Sequence, residues 1–487
     1  MARRGPLANS YLASVALVVF SLVPYLAVSV ATLPLEKTLI KGVGLSTSSF
    51  DMAFALSTGA YTAGTVIAVQ LAMHFPARRL LVGYELLFVV ASTLAAWAPT
   101  PDVFIGAFVA EGLATSLMLI AAVPPLVTSW PVTKMPTTAA VMNLCIFGAV
   151  AIGPTIGALQ LGAHAWRPLF VAGAIAAFGA LCFSLLTFQD DGPQDRSAPW
   201  DLVAIMLAIA GCATAFYGAG ELQATMKATP GSVVPLCVGF GLIVALVVYE
   251  YKIHRPLMPI RAAAKSVPVA GLFVALAASA AAFGLMELGI LALAKASPSH
   301  GALVFLPEFV AAIAVAGLFG ILFRTRFTPL LAFAGLMSLM AGAVVMVAVL
   351  PANGFGLGVA AALIGIGAAS SVSPALFMVG FSLPAKLLQR VFALVELLRG
   401  LTAFLVAPIL AFLAATLSGG KAPGARDAVW ICLAIAGAGL IGGVAAYLSG
   451  RPRLETPDLE RWQGPNDEPA WAAPPIGAAL RRESDDR

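Results

Sequence analysis

The sequence predicts an all-α protein that crosses a membrane about fourteen times. Three observations carry that reading. Of its 487 residues, 60% are hydrophobic and 10% charged, with a mean hydropathy of +0.95; a soluble chain carries about a quarter charged residues. The apolar residues gather into uninterrupted runs long enough to cross ~30 Å of hydrocarbon as helices. Lysines and arginines fall in short loops between those runs, mostly on one side.

The runs follow one another at 11–32, 50–73, 80–98, 103–128, 137–162 and 166–188. A second group lies at 200–220 and 232–251. The last six are 267–294, 302–323, 329–350, 355–378, 391–417 and 428–448. Arg3 and Arg4 precede the first run as they would in a signal peptide. That run exceeds an h-region of about 7–15 residues and reads as a retained helix. Residues 189–199 are the most polar internal stretch and read as a linker. After Leu448 the chain turns charged and proline-bearing with no apolar period, so 449–487 reads as a disordered tail.

Charge placement sets the expected orientation. Arg78, Arg79, Arg196, Lys252, Arg255, Arg261, Lys265, Arg324, Arg326, Lys386 and Arg390 share the face of the N-terminus. Lys37, Lys41, Arg167, Lys227, Lys295, Lys421 and Arg426 lie on the other. This bias places both termini in the cytoplasm of a cell whose cytoplasmic membrane holds the protein. Trp97, Trp130, Trp166, Trp200 and Trp430 sit near run ends, where an interfacial belt would hold them.

Several functions are disfavoured. The net charge of +5 resides in loops between apolar runs and is no argument for nucleic acid. The five cysteines are scattered singly and the four histidines lie far apart, so neither a metal site nor a disulfide framework is suggested. The sequence holds no G-x-x-x-x-G-K-[ST] phosphate loop and no Ser/His/Asp or paired-histidine constellation. An enzyme is not expected, and no cofactor beyond a proton gradient.

The run 137–162 contains Ala149, Val150, Ala151, Ile152, Gly153, Pro154, Thr155, Ile156, Gly157 and Ala158. Gly153 and Gly157 share one helix face and admit another backbone closely. Pro154 removes a donor between them. Trp166 and Arg167 open the next run. A generic small-residue packing face is the plain alternative. The G-P-x-x-G segment followed by W-R resembles the antiporter signature of the major facilitator superfamily. The middle of the chain, with Pro199, Trp200, Asp201 and Leu202 opening an extra run, looks like that family's fourteen-helix drug:proton antiporter branch.

The resemblance implies the major facilitator fold: two six-helix bundles, 1–188 and 267–448, joined by a linker and two extra helices over 189–266. It implies a central cavity exposed to each side in turn. It also implies that the glycine face meets a helix of the other half, and that Arg78 and Arg79 belong to a gating loop. The family's loop reads G-x-L-A-D-R-x-G-R-R, and here His74 takes the place of its aspartate. Tyr25 stands where the first helix usually carries an aspartate, and Phe108 where the fourth carries an arginine. Those two family residues are tied to proton movement, so the resemblance carries the fold but not the coupling.

Charges inside the bilayer cost roughly 2.5–3.5 kcal/mol each, so each needs a reason. Glu111 lies about 12 Å along its run at 1.5 Å per residue. It is the expected titrating acid of the cavity, with a hydrogen-bonded or protonated structural carboxyl as the alternative. Glu396 and Arg399 are three apart and face one side of their helix. They serve translocation or neutralise each other. Glu287 and Glu308 are the next candidates, as cation ligands at the outer mouth or as solvated acids. Glu85 is expected to be structural.

The expected function is secondary transport by alternating access, as a proton-driven exporter of small apolar or cationic compounds. The alternatives are an uncoupled or differently coupled carrier of a metabolite or lipid, and a non-transporting receptor or assembly partner. The expected partners are the lipid bilayer and a small-molecule substrate, with a periplasmic adaptor left open.

Overall fold

Polar caps and apolar length together set the helices. The computed structural model describes residues 5–187, 195, 197–296, 301–350, 354–417 and 422–478. Among them lie 14 helical spans long and apolar enough to cross a membrane. The first six are α1 (Tyr11–Ala31), α2 (Thr47–His74), α3 (Ala77–Ala96), α4 (Pro101–Thr128), α5 (Val132–Gly162) and α6 (Arg167–Thr187). Then come α7 (Leu202–Thr225) and α8 (Pro230–Lys252). The last six are α9 (Ser266–Leu293), α10 (Gly301–Leu322), α11 (Thr328–Val349), α12 (Gly354–Phe381), α13 (Ala385–Thr416) and α14 (Gly424–Gly450).

A side chain caps the first turn of several spans, and α2 and α4 begin ahead of their apolar runs. Ser10, Ser46, Thr100 and Asp201 each accept a backbone N–H there. A short helix that the apolar pattern does not reveal, Glu36–Val43, joins α1 to α2. It buries only Leu39 and ends at Gly44, whose φ of 80° suits glycine. Of the expected linker 189–199, only 195 and 197–199 are described.

The first six spans pack into one bundle, with α1 against α4, α5 and α6, and α3 against α4 and α6. The last six form a second, with α9 against α12, α13 and α14, and α11 against α12 and α14. The bundles meet along two seams, α2 with α13 and α5 with α10. The extra pair forms a hairpin beside the first seam, where α7 lies against α2 and α13 while α8 packs on α7. Large apolar side chains such as Ile321, Phe355 and Ile441 stay exposed on outer faces, where lipid would cover them.

Leu7 N–H bonds to Leu186 O, and the segment after α14 touches the ends of α4 and α12. The first and last described segments therefore share one face of the bundle, the terminal face. That last segment corrects an expectation. Charge and proline content read it as disordered, yet it folds back onto the bundle through 478. Its aromatic residues supply the reason. Trp462 is fully buried with its ring edge-on to Phe381 at 4.8 Å, and Trp471 and Leu459 are buried beside it.

Candidate functional site

The first seam carries the expected ion pair. Glu396 and Arg399 stand three apart on α13 and are 0% and 2% exposed. Arg399 Nε donates to both Glu396 oxygens at 3.0 Å, and Nη2 to Oε2 at 2.5 Å. The link across the seam is Tyr61 of α2. Its hydroxyl donates to Glu396 Oε2 at 3.3 Å and accepts from Arg399 Nη2 at 3.4 Å. The helices approach closely here because Gly400 has no side chain; a Cβ would stand 2.6 Å from Thr62 Oγ1. Bidentate pairing and the tyrosine offset the desolvation of two charges.

The second seam borders a small cavity of about 20 Å³, room for about one water. Phe147 of α5, Ser279, Phe283 and Met286 of α9, Glu308 of α10 and Val372 of α12 border it. Glu308 is 5% exposed and takes no hydrogen bond from the described residues. Ser279 Oγ is buried with no hydrogen-bond partner among the described residues. At the cavity wall, α5 widens into a π-turn at Leu144–Gly148 that includes Phe147, a departure common near functional sites. Asn143, at the edge of that turn, donates across the seam to Ala369 O at 2.9 Å. Thr155 Oγ1 donates to Ala302 O at 3.4 Å nearer the other end. The seam thus couples an acid, unpartnered polar atoms and aromatic rings to a contact between bundles.

Glu111 sits elsewhere. It is 2% exposed and accepts from Ser92 Oγ of α3, inside the first bundle. Its Oε2 has no hydrogen-bond partner among the described residues. The expectation that it borders the cavity between halves differs from this placement, because its face of α4 turns toward α3. Glu85 is likewise internal, accepting from Ser21 at 3.4 Å and Ser184 at 2.7 Å. Glu287 is 8% exposed and accepts from Gln223 of α7 at 3.5 Å. The extra hairpin therefore meets it, instead of an open mouth.

The glycine face of α5 also differs from expectation. A Cβ at Gly153 would stand 2.7 Å from Val30 Cβ and 3.0 Å from Ala27 O, and one at Gly157 would strike Ala31 O. These belong to α1, so the face packs within its own bundle. Pro154 stays inside the helix between them. Arg78 donates to Leu185 O at 3.2 Å, also within the first bundle, and Arg79 is exposed. Links across the terminal face include Gln389, donating to Ile120 O at 2.9 Å, and Arg324, donating to Val132 O at 2.6 Å.

Sequence reasoning missed Tyr61, Asn143, Ser279 and Gln389. Asn143 alone left a signal, an amide inside an apolar run. At the two positions where the resemblance lacks its charges, a neutral cluster stands. Tyr25 and Ser57 share a hydrogen bond of 2.8 Å, Ser57 donates to Phe108 O at 2.7 Å, and the Tyr25 and Phe108 rings lie 6.2 Å apart.

Comparison with known proteins agrees with this architecture. The family model described as Major Facilitator Superfamily matches residues 14–407. The chain is similar to an uncharacterised MFS-type transporter, YubD, of Bacillus subtilis (strain 168), at 27% identity over 230 residues, 46% of this chain and 43% of that protein. It is similar to a multidrug resistance protein B homologue of Mycobacterium tuberculosis (strain CDC 1551 / Oshkosh), at 27% identity over 209 residues, 42% of this chain and 38% of that protein. These matches span less than half the length of either relative. In fold, the chain is similar to the crystal structure of the human organic anion transporter MFSD10, with a TM-score of 0.62 at 12% identity, covering 89% of this chain and 99% of that one. With its two bundles, its seams and a match over most of its length, the chain belongs to the Major Facilitator Superfamily of membrane transporters.

Proposed function

We propose that this transporter is a proton-driven exporter of small apolar or cationic compounds, seated in the cytoplasmic membrane with both termini inside. The observation that carries the proposal is Glu308 at the small cavity between the bundles. A carboxylate in apolar surroundings without a counter-charge is costly, so it takes up either a proton or a cationic guest. The two compete for one site, and that competition links proton entry to substrate release. Phe147, Phe283 and Met286 beside it suit a flat or adaptable apolar guest. The name of the mycobacterial relative adds support for efflux, and the lysine and arginine bias supports the orientation.

A second reading, an uncoupled carrier, draws on the neutral cluster of Tyr25, Ser57 and Phe108. One measurement separates them. Purified protein in proteoliposomes is loaded with ethidium as probe cation, with and without an imposed pH gradient. Uphill movement that collapses with a protonophore supports the exporter. Downhill flux indifferent to the gradient selects the uncoupled carrier. No flux of any probe compound removes both.

A further inference from the structure

The segment 451–478 joins the two bundles at the terminal face. Its anchor lies on the second bundle. Trp462 Nε1 donates to Leu383 O at 2.8 Å, and the N–H groups of Ala470 and Trp471 donate to Phe381 O at 2.8 and 3.2 Å. Lys386 pairs with Asp467 at 2.6 Å, and Ser266 Oγ donates to Pro474 O at 2.9 Å.

One residue after the buried tryptophan, the Gln463 side chain reaches the other way. Its Nε2 stands 3.0 Å from Trp130 O, 3.3 Å from Val127 O and 3.5 Å from Thr128 O. The α4 helix ends at Thr128, so the carbonyls of Val127 and Thr128 have no donor within their own helix. The far end of the chain supplies that donor, as a cap on α4. Beside it lies a cavity of about 690 Å³, with Ala72, Ala121 and Thr128 on the first bundle's side and Leu388, Gln389 and Gln463 opposite.

We propose that the C-terminal segment is a latch that holds the terminal face closed. Opening that face moves the end of α4 away from the turn between α12 and α13. The tryptophan anchor travels with the second bundle and need not break. The Gln463 bonds span the gap and must break each time. They are also the replaceable part, because water can satisfy α4's carbonyls once the face opens. The segment therefore biases the equilibrium between closed and open faces instead of blocking it.

The test needs no knowledge of the substrate. Ala121→Cys is placed in the full chain with its five native cysteines replaced by alanine, and maleimide labelling is timed in detergent. Adding Gln463→Ala should speed labelling about fivefold, the shift that one ordinary hydrogen bond allows. Truncation after Gly450 should label at least as fast. Gln463→Arg keeps a donor and should label as slowly as the parent, whereas Gln463→Glu cannot donate and should behave like alanine. Equal rates in the parent and Gln463→Ala overturn the latch, as does Gln463→Arg labelling as fast as alanine.

Discussion

Tyr61 of α2 and Glu396 of α13 meet across the first seam, the tyrosine hydroxyl donating to the carboxylate that Arg399 already holds. The ion pair is complete within α13, so the tyrosine adds a link between bundles without being needed to neutralise charge. Tyr61→Phe should then cost about 1 kcal/mol, one net hydrogen bond. Glu396→Ala leaves Arg399 buried and unpaired, which should cost roughly 3–5 kcal/mol. Replacing both Glu396 and Arg399 by leucine should be milder than that single change, since no charge remains. Thermal unfolding in detergent, followed by size-exclusion fluorescence, orders the three variants. A double replacement less stable than Glu396→Ala would show that the pair contributes more than mutual neutralisation.

The glycine face of α5 gives a second expectation. A side chain at Gly157 meets the carbonyl of Ala31, and one at Gly153 meets Val30 and the carbonyl of Ala27. Backbone cannot move aside as a side chain can. Gly153→Leu should leave the protein in the membrane but force α1 and α5 apart, at a cost of about 1–3 kcal/mol, and transport should fall with it. Gly162→Leu is the control, because among the described residues nothing beyond its own helix lies within 4 Å of its added Cβ. Equal stability of the two leucine variants would mean the contact with α1 is loose.

These cases show what one sequence can carry. The spans were legible because each apolar run is bilayer length, and the Glu396–Arg399 pair because residues three apart share a helix face. Small-residue spacing marks the packing face of α5, but nothing local says that α1 fills it. The partner of Arg399 on the other bundle, Tyr61, is an ordinary tyrosine until the fold brings it there. Glu111 and Glu308 look alike as isolated acids in apolar runs, and only packing turns one toward Ser92 and the other toward the seam. The tail misled because charge and proline outweighed two tryptophans, although buried aromatics decide the docking.

Orientation is checked with two single cysteines on opposite faces. Ser197 and Lys227 are both exposed, at the start and the end of the α7 region. The lysine and arginine bias puts Ser197 inside and Lys227 outside. In a cysteine-free chain in intact cells, Lys227→Cys should react with an impermeant maleimide and Ser197→Cys should not until the cells are opened. The reverse pattern would invert the protein and place the latched face outside.

The coupling acid is the last expectation. Glu111 and Glu308 are both buried, but their surroundings differ. Glu111 has a serine donor and lies within one bundle, where the relative motion of the bundles does not reach it directly. Glu308 lies at a seam that must rearrange when access switches, and it takes no hydrogen bond from the described residues. An acid that drives transport has to feel both the proton and the conformational change. Glu308→Gln keeps size and hydrogen bonding but carries no titrating proton. It should abolish gradient-driven accumulation of ethidium in proteoliposomes while leaving downhill exchange within about threefold of the parent, a difference of under about 1 kcal/mol in the barrier. Glu111→Gln should keep gradient-driven accumulation, with its effect confined to stability. The opposite outcome, with Glu111→Gln uncoupled and Glu308→Gln intact, would move the coupling into the first bundle. The small cavity at the second seam would then serve packing alone.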